Sequence, residues 1–314
     1  MKVLFAAPED AWGGILGHFR TALPDVEFIA GGLNPADLSG YDVVIPTMSR
    51  IDQACIETAD QLRLIQQIGA GLEGVDLDAA RARQIAVANV PTDVSGNADS
   101  VSEMALYFML ALMRRTSEHA AQREARQLGL PVGRSLHGAT VGIVGFGAIG
   151  QAICRRLDGF GARCLALKTR VDQALVERHG LAGMGTLADL PWLLAESDIV
   201  VLAVPDTEAT HQMMNRNSLA QMKPGSYLIN IGRGGLVSRD ALHEALHSGH
   251  LAGAGLDVFW EEPPDPADPL FQLNVLTSPH VAGLTDRSVT GIMQVAADNI
   301  SALSNDEPLL YRKV

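Results

Sequence analysis

The run Val141-Gly142-Ile143-Val144-Gly145-Phe146-Gly147-Ala148-Ile149-Gly150 sets G-x-G-x-x-G between a β-branched segment and a helix-length one. Gly145 permits a tight turn, Gly147 lets the main chain approach a pyrophosphate, and Gly150 lets helix and strand pack closely. The helix opening at Ala148, Ile149 and Gly150 offers free N–H groups and a positive dipole end to phosphate oxygens. A hexapeptide of this kind also occurs in ordinary Gly-rich turns. Here a strand at Thr140–Val144 and a helix at Ala148–Phe160 are expected on its two sides, which points to a dinucleotide. The next strand ends in Lys168-Thr169-Arg170. An acidic residue at that place would take the ribose hydroxyls of NAD and repel a 2′-phosphate, whereas Lys and Arg can hold one by charge-assisted hydrogen bonds. NADP(H) is therefore expected in preference to NAD(H), with a solvated Lys/Arg pair beside an NAD site as the alternative.

Three more segments carry a resemblance. They are Asn230-Ile231-Gly232-Arg233-Gly234-Gly235-Leu236-Val237, Gly253-Ala254-Gly255-Leu256-Asp257-Val258-Phe259-Trp260-Glu261-Glu262-Pro263 and Ser278-Pro279-His280-Val281-Ala282-Gly283. In order, spacing and flanking residues, and over nearly its whole length, the chain resembles the D-isomer-specific 2-hydroxyacid dehydrogenases. The resemblance implies hydride transfer between a nicotinamide cofactor and a small 2-oxo or 2-hydroxy acid, with Arg233, Glu262 and His280 as the catalytic set. The chemistry suits those residue types. A guanidinium can fork across the carboxylate and ketone oxygens of a 2-oxo acid, binding it and polarising the bond to be reduced. The alkoxide left by hydride addition needs a proton from an acid working near neutrality, which suits His280, and Glu262 would stabilise the imidazolium and fix its tautomer.

The same resemblance assigns Asp257 to the nicotinamide carboxamide, and Ile231 and Gly283 to cofactor contacts. Pro205 and Thr207, in Val204-Pro205-Asp206-Thr207, fall on the loop along the adenine ribose. Ile68-Gly69-Ala70-Gly71-Leu72-Glu73-Gly74-Val75-Asp76 is similar to the family's substrate loop, so the N–H groups of Ala70 and Gly71 would face the substrate carboxylate, with Arg233 and His280 also touching substrate. The small acids glyoxylate and hydroxypyruvate lead, as substrates of NADPH-using relatives. Formate dehydrogenases of the superfamily have an amide where Glu262 stands. A D-3-phosphoglycerate dehydrogenase-like enzyme would ordinarily show the acidic residue of an NAD site. A non-catalytic, dinucleotide-sensing protein would keep the fold without turnover.

Short β-branched runs alternate with helix-length segments from end to end, the pattern of parallel βαβ units. Strands are expected at Val3–Ala6, Val26–Ile29, Val43–Ile45, Leu64–Ile68 and Ile85–Ala88. A second series is expected at Thr140–Val144, Cys164–Leu167, Ile199–Val204, Tyr227–Ile231, Gly253–Val258 and Val275–Thr277. The fold class is α/β, with two doubly wound parallel-sheet domains. One is a flavodoxin-like substrate domain made of residues 1–98 and 285–314, since the last helical pattern (Asp286–Leu303) has no sheet of its own. The other is a Rossmann cofactor domain over 99–284. Ser100-Val101-Ser102-Glu103 has capping-box spacing, and the following helix to Met113 is apolar on nearly every side, which predicts burial all round. Arg114–Arg134 reads as an exposed connection. At 314 residues, 47% hydrophobic and 19% charged, two domains of ordinary size are expected. A net charge of −12 argues against broad nucleic-acid or anionic-membrane binding. The apolar run Met104–Met113 is too short to span a bilayer, and the N-terminus lacks a signal-peptide core, so a cytoplasmic protein is expected. Cys55, Cys154 and Cys164 lack metal or disulfide spacing, no metal site is expected, and the apolar helix suggests a homodimer.

Overall fold

The computed structural model describes residues 1–314, which form two compact units: Met1–Asn97 with Leu284–Val314, and Ala98–Gly283. The first unit holds a five-stranded sheet of β1 (Lys2–Phe5), β2 (Glu27–Ala30), β3 (Val43–Ile45), β4 (Leu64–Gln66) and β5 (Ala86–Ala88), in the order β2-β1-β3-β4-β5 and parallel throughout. Both faces are covered, so its strands are apolar rather than alternating. The helix Asp286–Ser304 lays Ile292, Ala296, Ile300 and Leu303 on Val3, Phe5 and Ile45. It also carries the buried Asn299, which donates through Nδ2 to Gln66 Oε1 at 2.7 Å.

The second unit holds seven parallel strands: β6 (Thr140–Val144), β7 (Arg163–Leu167), β8 (Gly183–Gly185), β9 (Ile199–Leu202), β10 (Ser226–Asn230), β11 (Leu251–Leu256) and β12 (Val275–Thr277). Their order is β12-β11-β10-β9-β6-β7-β8. The chain winds outward from the adjacent pair β6 and β9 in opposite directions. Such a reversal opens a crevice at the carboxyl ends of the strands, where open α/β sheets bind ligands.

Several boundaries differ from the sequence expectation. β8, Gly-Met-Gly, has no β-branched residue to announce it; Trp192 packs where a Cβ at Gly183 would stand, 2.9 Å away. β4, β9, β10 and β11 each stop one or two residues early, because their last residues turn into the loops at the carboxyl edge. The helix expected from Ser100 starts at Asn97, which puts Ser100 inside the helix rather than at its cap, and Glu103 pairs with Arg156 at 3.1 Å. Within the single chain that helix keeps one side uncovered. Phe108, Met109 and Leu112 enter the core with Val141, Ile143 and Ile229, while Tyr107 is 57% exposed. The connection after it contains a 3₁₀ turn (Thr116–Glu118) and a helix (His119–Glu124) before the exposed Leu128, Leu130 and Val132. No helix is long and apolar enough to cross a membrane.

Candidate active site

The Arg233 turn follows β10 and is organised by the last residue of that strand. Asn230 Nδ2 donates to Arg233 O at 2.8 Å, and its Oδ1 accepts the Gly232 N–H at 3.1 Å. The turn is wedged against its neighbours: a Cβ on Gly234 would lie 2.0 Å from Phe259 O, and one on Gly232 would lie 2.7 Å from Val204 O. Only glycine lets the backbone come this close. Arg233 is half-buried with an extended backbone, and its Nη1 donates to Gly232 O at 2.8 Å.

His280 sits two residues into the loop after Ser278, at a left-handed φ of 55°, with its N–H donating to Asp257 O and Ser278 O, both at 2.9 Å. Asp257 lies beneath this loop and is 2% exposed. Its Oδ1 accepts from the Ser278 hydroxyl at 2.5 Å, Val281 N at 2.9 Å and Ala282 N at 3.1 Å, and its Oδ2 accepts from Ala282 N at 3.1 Å. Burial pushes the Asp257 carboxyl above the ordinary aspartate range, although those hydrogen bonds and the nearby His280 favour its ionised form. Its visible work is thus to shape the loop that carries His280.

Glu262 reaches the same point from the segment after β11. Its Oε2 stands 2.7 Å from His280 Nδ1, and its Oε1 accepts the Phe259 N–H at 3.0 Å. The two side chains are 22% and 25% exposed. Burial works to raise the Glu262 pKa. The hydrogen bond and charge of His280, the Phe259 N–H and the Arg233 charge outweigh it and hold Glu262 below the usual carboxylate range. An ionised Glu262 can only accept, so the Nδ1 that faces it carries a proton. The arrangement is a carboxylate–imidazole pair beside a guanidinium, the set needed to grip an anion and protonate a forming alkoxide.

Gly145, at φ 102°, brings the end of β6 against Ala203 O, which a Cβ would meet at 2.5 Å, and a Cβ on Gly150 would meet Gly145 O at 2.2 Å. Gly147 differs: it caps the helix Ala148–Asp158 without a side-chain bond, and its missing Cβ faces open space. The approach to the first N–H groups of the helix, at Ala148 and Ile149, is thus unobstructed at Gly147, as an anion on a helix N-terminus requires. The basic turn is set by the unforeseen β8, whose Gly185 O accepts the Lys168 N–H at 3.0 Å. Lys168 is half-buried, and Thr169 and Arg170 are exposed. Thr210 pins the Pro205–Thr207 loop, donating to Pro205 O at 2.7 Å and accepting the Thr207 N–H at 2.8 Å. Ile231 and Ala282, next to Gly283, share one core cluster. Ala70 and Gly71 lie in the first unit, on the loop after β4. Sequence reasoning missed Asn230, Ser278 and Thr210, whose signal is a short polar side chain at a strand end or turn, and the Phe259 N–H, a main-chain donor with no signal in the residue type.

A family profile described as "D-isomer specific 2-hydroxyacid dehydrogenase, NAD binding domain" matches residues 106–282. A glyoxylate reductase of Thermococcus gammatolerans is 36% identical, over 98% of this chain and 94% of that protein. The chain belongs to the D-isomer-specific 2-hydroxyacid dehydrogenase family. This dehydrogenase is also 32% identical to a D-3-phosphoglycerate dehydrogenase of Archaeoglobus fulgidus, over 98% of this chain and 58% of that one. Among solved structures, the D-lactate dehydrogenase of Aquifex aeolicus complexed with NAD and lactic acid superposes with a TM-score of 0.85 at 26% identity, covering 98% of this chain and 96% of that one. The dehydrogenase is an NAD(P)-dependent oxidoreductase acting on a CH–OH group, and it takes a nicotinamide dinucleotide cofactor.

Proposed function

We propose that the enzyme reduces a small 2-oxo acid, glyoxylate or hydroxypyruvate, with NADPH to the D-2-hydroxy acid. The observation that carries the chemistry is the 2.7 Å contact between His280 Nδ1 and an ionised Glu262 beside Arg233. Bound nicotinamide cofactor supplies the hydride. Arg233 holds the substrate carboxylate and carbonyl oxygen, and the N–H groups of Ala70 and Gly71 take the carboxylate. As the carbon accepts the hydride, the carbonyl electron pair moves onto oxygen and takes the proton from His280 Nε2. The imidazole is left neutral and still bonded to Glu262. Gly145, Gly147, Ala148, Ile149 and Gly150 cradle the pyrophosphate, and Lys168, Thr169 and Arg170 receive the 2′-phosphate. Pro205, Thr207, Ile231, Asp257 and Gly283 line the rest of the cofactor. Residues 99–284 act as the cofactor domain, and 1–98 with 285–314 as the substrate domain.

Glyoxylate reductases among the relatives support the choice of acid. The test is a panel of glyoxylate, hydroxypyruvate, pyruvate, aryl and branched 2-oxo acids and 3-phosphohydroxypyruvate, each with NADPH and NADH, followed at the reduced nicotinamide band. Fastest turnover of 3-phosphohydroxypyruvate with NADH would favour the phosphoglycerate dehydrogenase reading instead, and no turnover of any acid would favour a sensing role. The exposed Tyr107 and the half-buried Met104, Leu106 and Leu110 on one helix suit a homodimer. Sedimentation showing monomer alone at micromolar concentration would refute that assembly.

A further inference from the structure

We propose that Asn89 is a positioning residue for the anion-binding main chain at Ala70 and Gly71; this rests on the role given to that loop above. β4 and β5 run side by side from Leu64↔Ala86 to Gln66↔Ala88, and the pairing continues beyond the strands. Gln67 N donates to Ala88 O at 2.9 Å, and Val90 N donates to Gly69 O at 3.1 Å. Between these two bonds, the buried Asn89 extends its side chain, and Nδ2 donates to Ala70 O at 2.7 Å. Two consecutive carbonyls, those of Gly69 and Ala70, are thereby held toward residues 89–90.

The peptide bonds from Gly69 to Gly71 are trans, the cis bonds of the chain lying elsewhere. In a trans peptide the N–H points opposite to the C=O. The N–H groups of Ala70 and Gly71 therefore both point away from Asn89 and Val90. They emerge where Ala70 is exposed and Gly71 half-buried, and neither donates to any other group of the chain. Successive N–H groups facing one way make an anion-binding concavity. The orientation of the Ala70 N–H is set by a main-chain bond that any residue at position 90 other than proline would make. For the Gly71 N–H the corresponding bond, to Ala70 O, comes from the Asn89 side chain. Asn89 Oδ1 is buried without a donor. Burying that acceptor unpaired costs stability, which the single bond from Nδ2 to Ala70 O must offset, so the donating half is the part of the amide that acts on the loop.

The test uses the full-length enzyme with NADPH and its 2-oxo acid, together with calorimetric binding of oxalate, an unreactive dicarboxylate, in the presence of NADP⁺. For Asn89→Ala, KM for the acid and Kd for oxalate should rise about tenfold, as expected for one charge-assisted hydrogen bond lost from the bound state. The kcat, the cofactor KM and Tm should stay near wild type. For Asn89→Asp, the loss should be larger at pH 8 and should recover, relative to wild type at the same pH, near pH 5. Burial beside the Ala70 carbonyl raises the introduced carboxyl above the ordinary aspartate range, so a substantial fraction there is protonated and can again donate to Ala70 O. Gly71→Pro removes the N–H itself and should raise KM and Kd with Tm retained. If Gly71→Pro weakens both constants and the Asn89 variants leave them unchanged, the loop binds the acid without Asn89 and the inference is wrong. If Gly71→Pro changes neither constant, the loop is not the carboxylate site and the underlying reading falls as well. Parallel losses of Tm, kcat and cofactor affinity in Asn89→Ala, without pH recovery in Asn89→Asp, would show a role in folding only.

Discussion

Replacing Lys168 and Arg170 together by alanine should abolish most of the proposed preference for NADPH over NADH. Lys168 is half-buried and anchored through its own N–H to Gly185 O at 3.0 Å, so its ammonium leaves a fixed strand end. A charge-assisted hydrogen bond from such a side chain to a phosphate contributes about 1.5–3 kcal/mol. Arg170 is exposed, and solvent screening reduces its share to about 0.5–1 kcal/mol. Together they amount to about 2–4 kcal/mol, or about thirtyfold to several hundredfold in affinity. The assay is kcat/KM for both cofactors in the wild type and in Lys168→Ala/Arg170→Ala, each at low and at physiological salt. KM for NADPH should rise strongly and that for NADH little, and the wild-type preference should shrink as salt rises, most of all in the part due to Arg170. Equal use of NADH by the wild type, or equal loss of both cofactors in the variant, would show that the basic turn does not read the 2′-phosphate.

Two further outcomes follow from the site geometry. In Glu262→Gln the carboxylate 2.7 Å from His280 Nδ1 is replaced by a neutral amide, and the alkaline limb of the pH–rate profile for reduction should move to lower pH; an unchanged profile would remove Glu262 from the proton path. Because the Glu262 pKa is lowered on folding, its ion pair contributes stability above the ordinary carboxylate range that is lost as pH falls through the lowered value. The Tm difference between wild type and Glu262→Gln should therefore close at acidic pH. In Gly234→Ala the new Cβ would meet Phe259 O at 2.0 Å, so the turn must shift, with about 1–3 kcal/mol of stability and a higher KM for the acid as the expected losses; wild-type values for both would show that the Arg233 turn is not held by this contact.

The alternation of β-branched and helix-length segments made two parallel sheets legible before any coordinates, because strands covered on both faces leave continuous apolar runs. β8 escaped because its pairing depends on Leu165 facing Gly183 and on Trp192 filling the place of a side chain, neither of which is a property of the residues Gly-Met-Gly. The helix start was misplaced for a related reason. Ser100 and Glu103 have cap spacing, but Glu103 finds a partner in Arg156, more than fifty positions away in sequence. At the site, the types and order of Arg233, Glu262 and His280 were readable, and the two last do meet. The supports were not. Asn230 folding back on the Arg233 turn, Asp257 gathering Ser278, Val281 and Ala282, and Asn89 holding the Ala70 carbonyl are all contacts made by short polar side chains with backbone brought near by the fold. Composition and periodicity carry no record of them.

The central claim is that His280 delivers the proton to the substrate oxygen, and the most direct measurement is kcat for reduction in His280→Asn, with cofactor affinity read by nicotinamide fluorescence on the same protein. Loss of a general acid should lower kcat by about 10²–10⁴-fold while the cofactor Kd stays within about twofold of wild type, since His280 is proposed to act on the substrate oxygen and not on cofactor binding. Near-normal turnover in that variant, or a loss explained by failure to bind cofactor, would contradict the account.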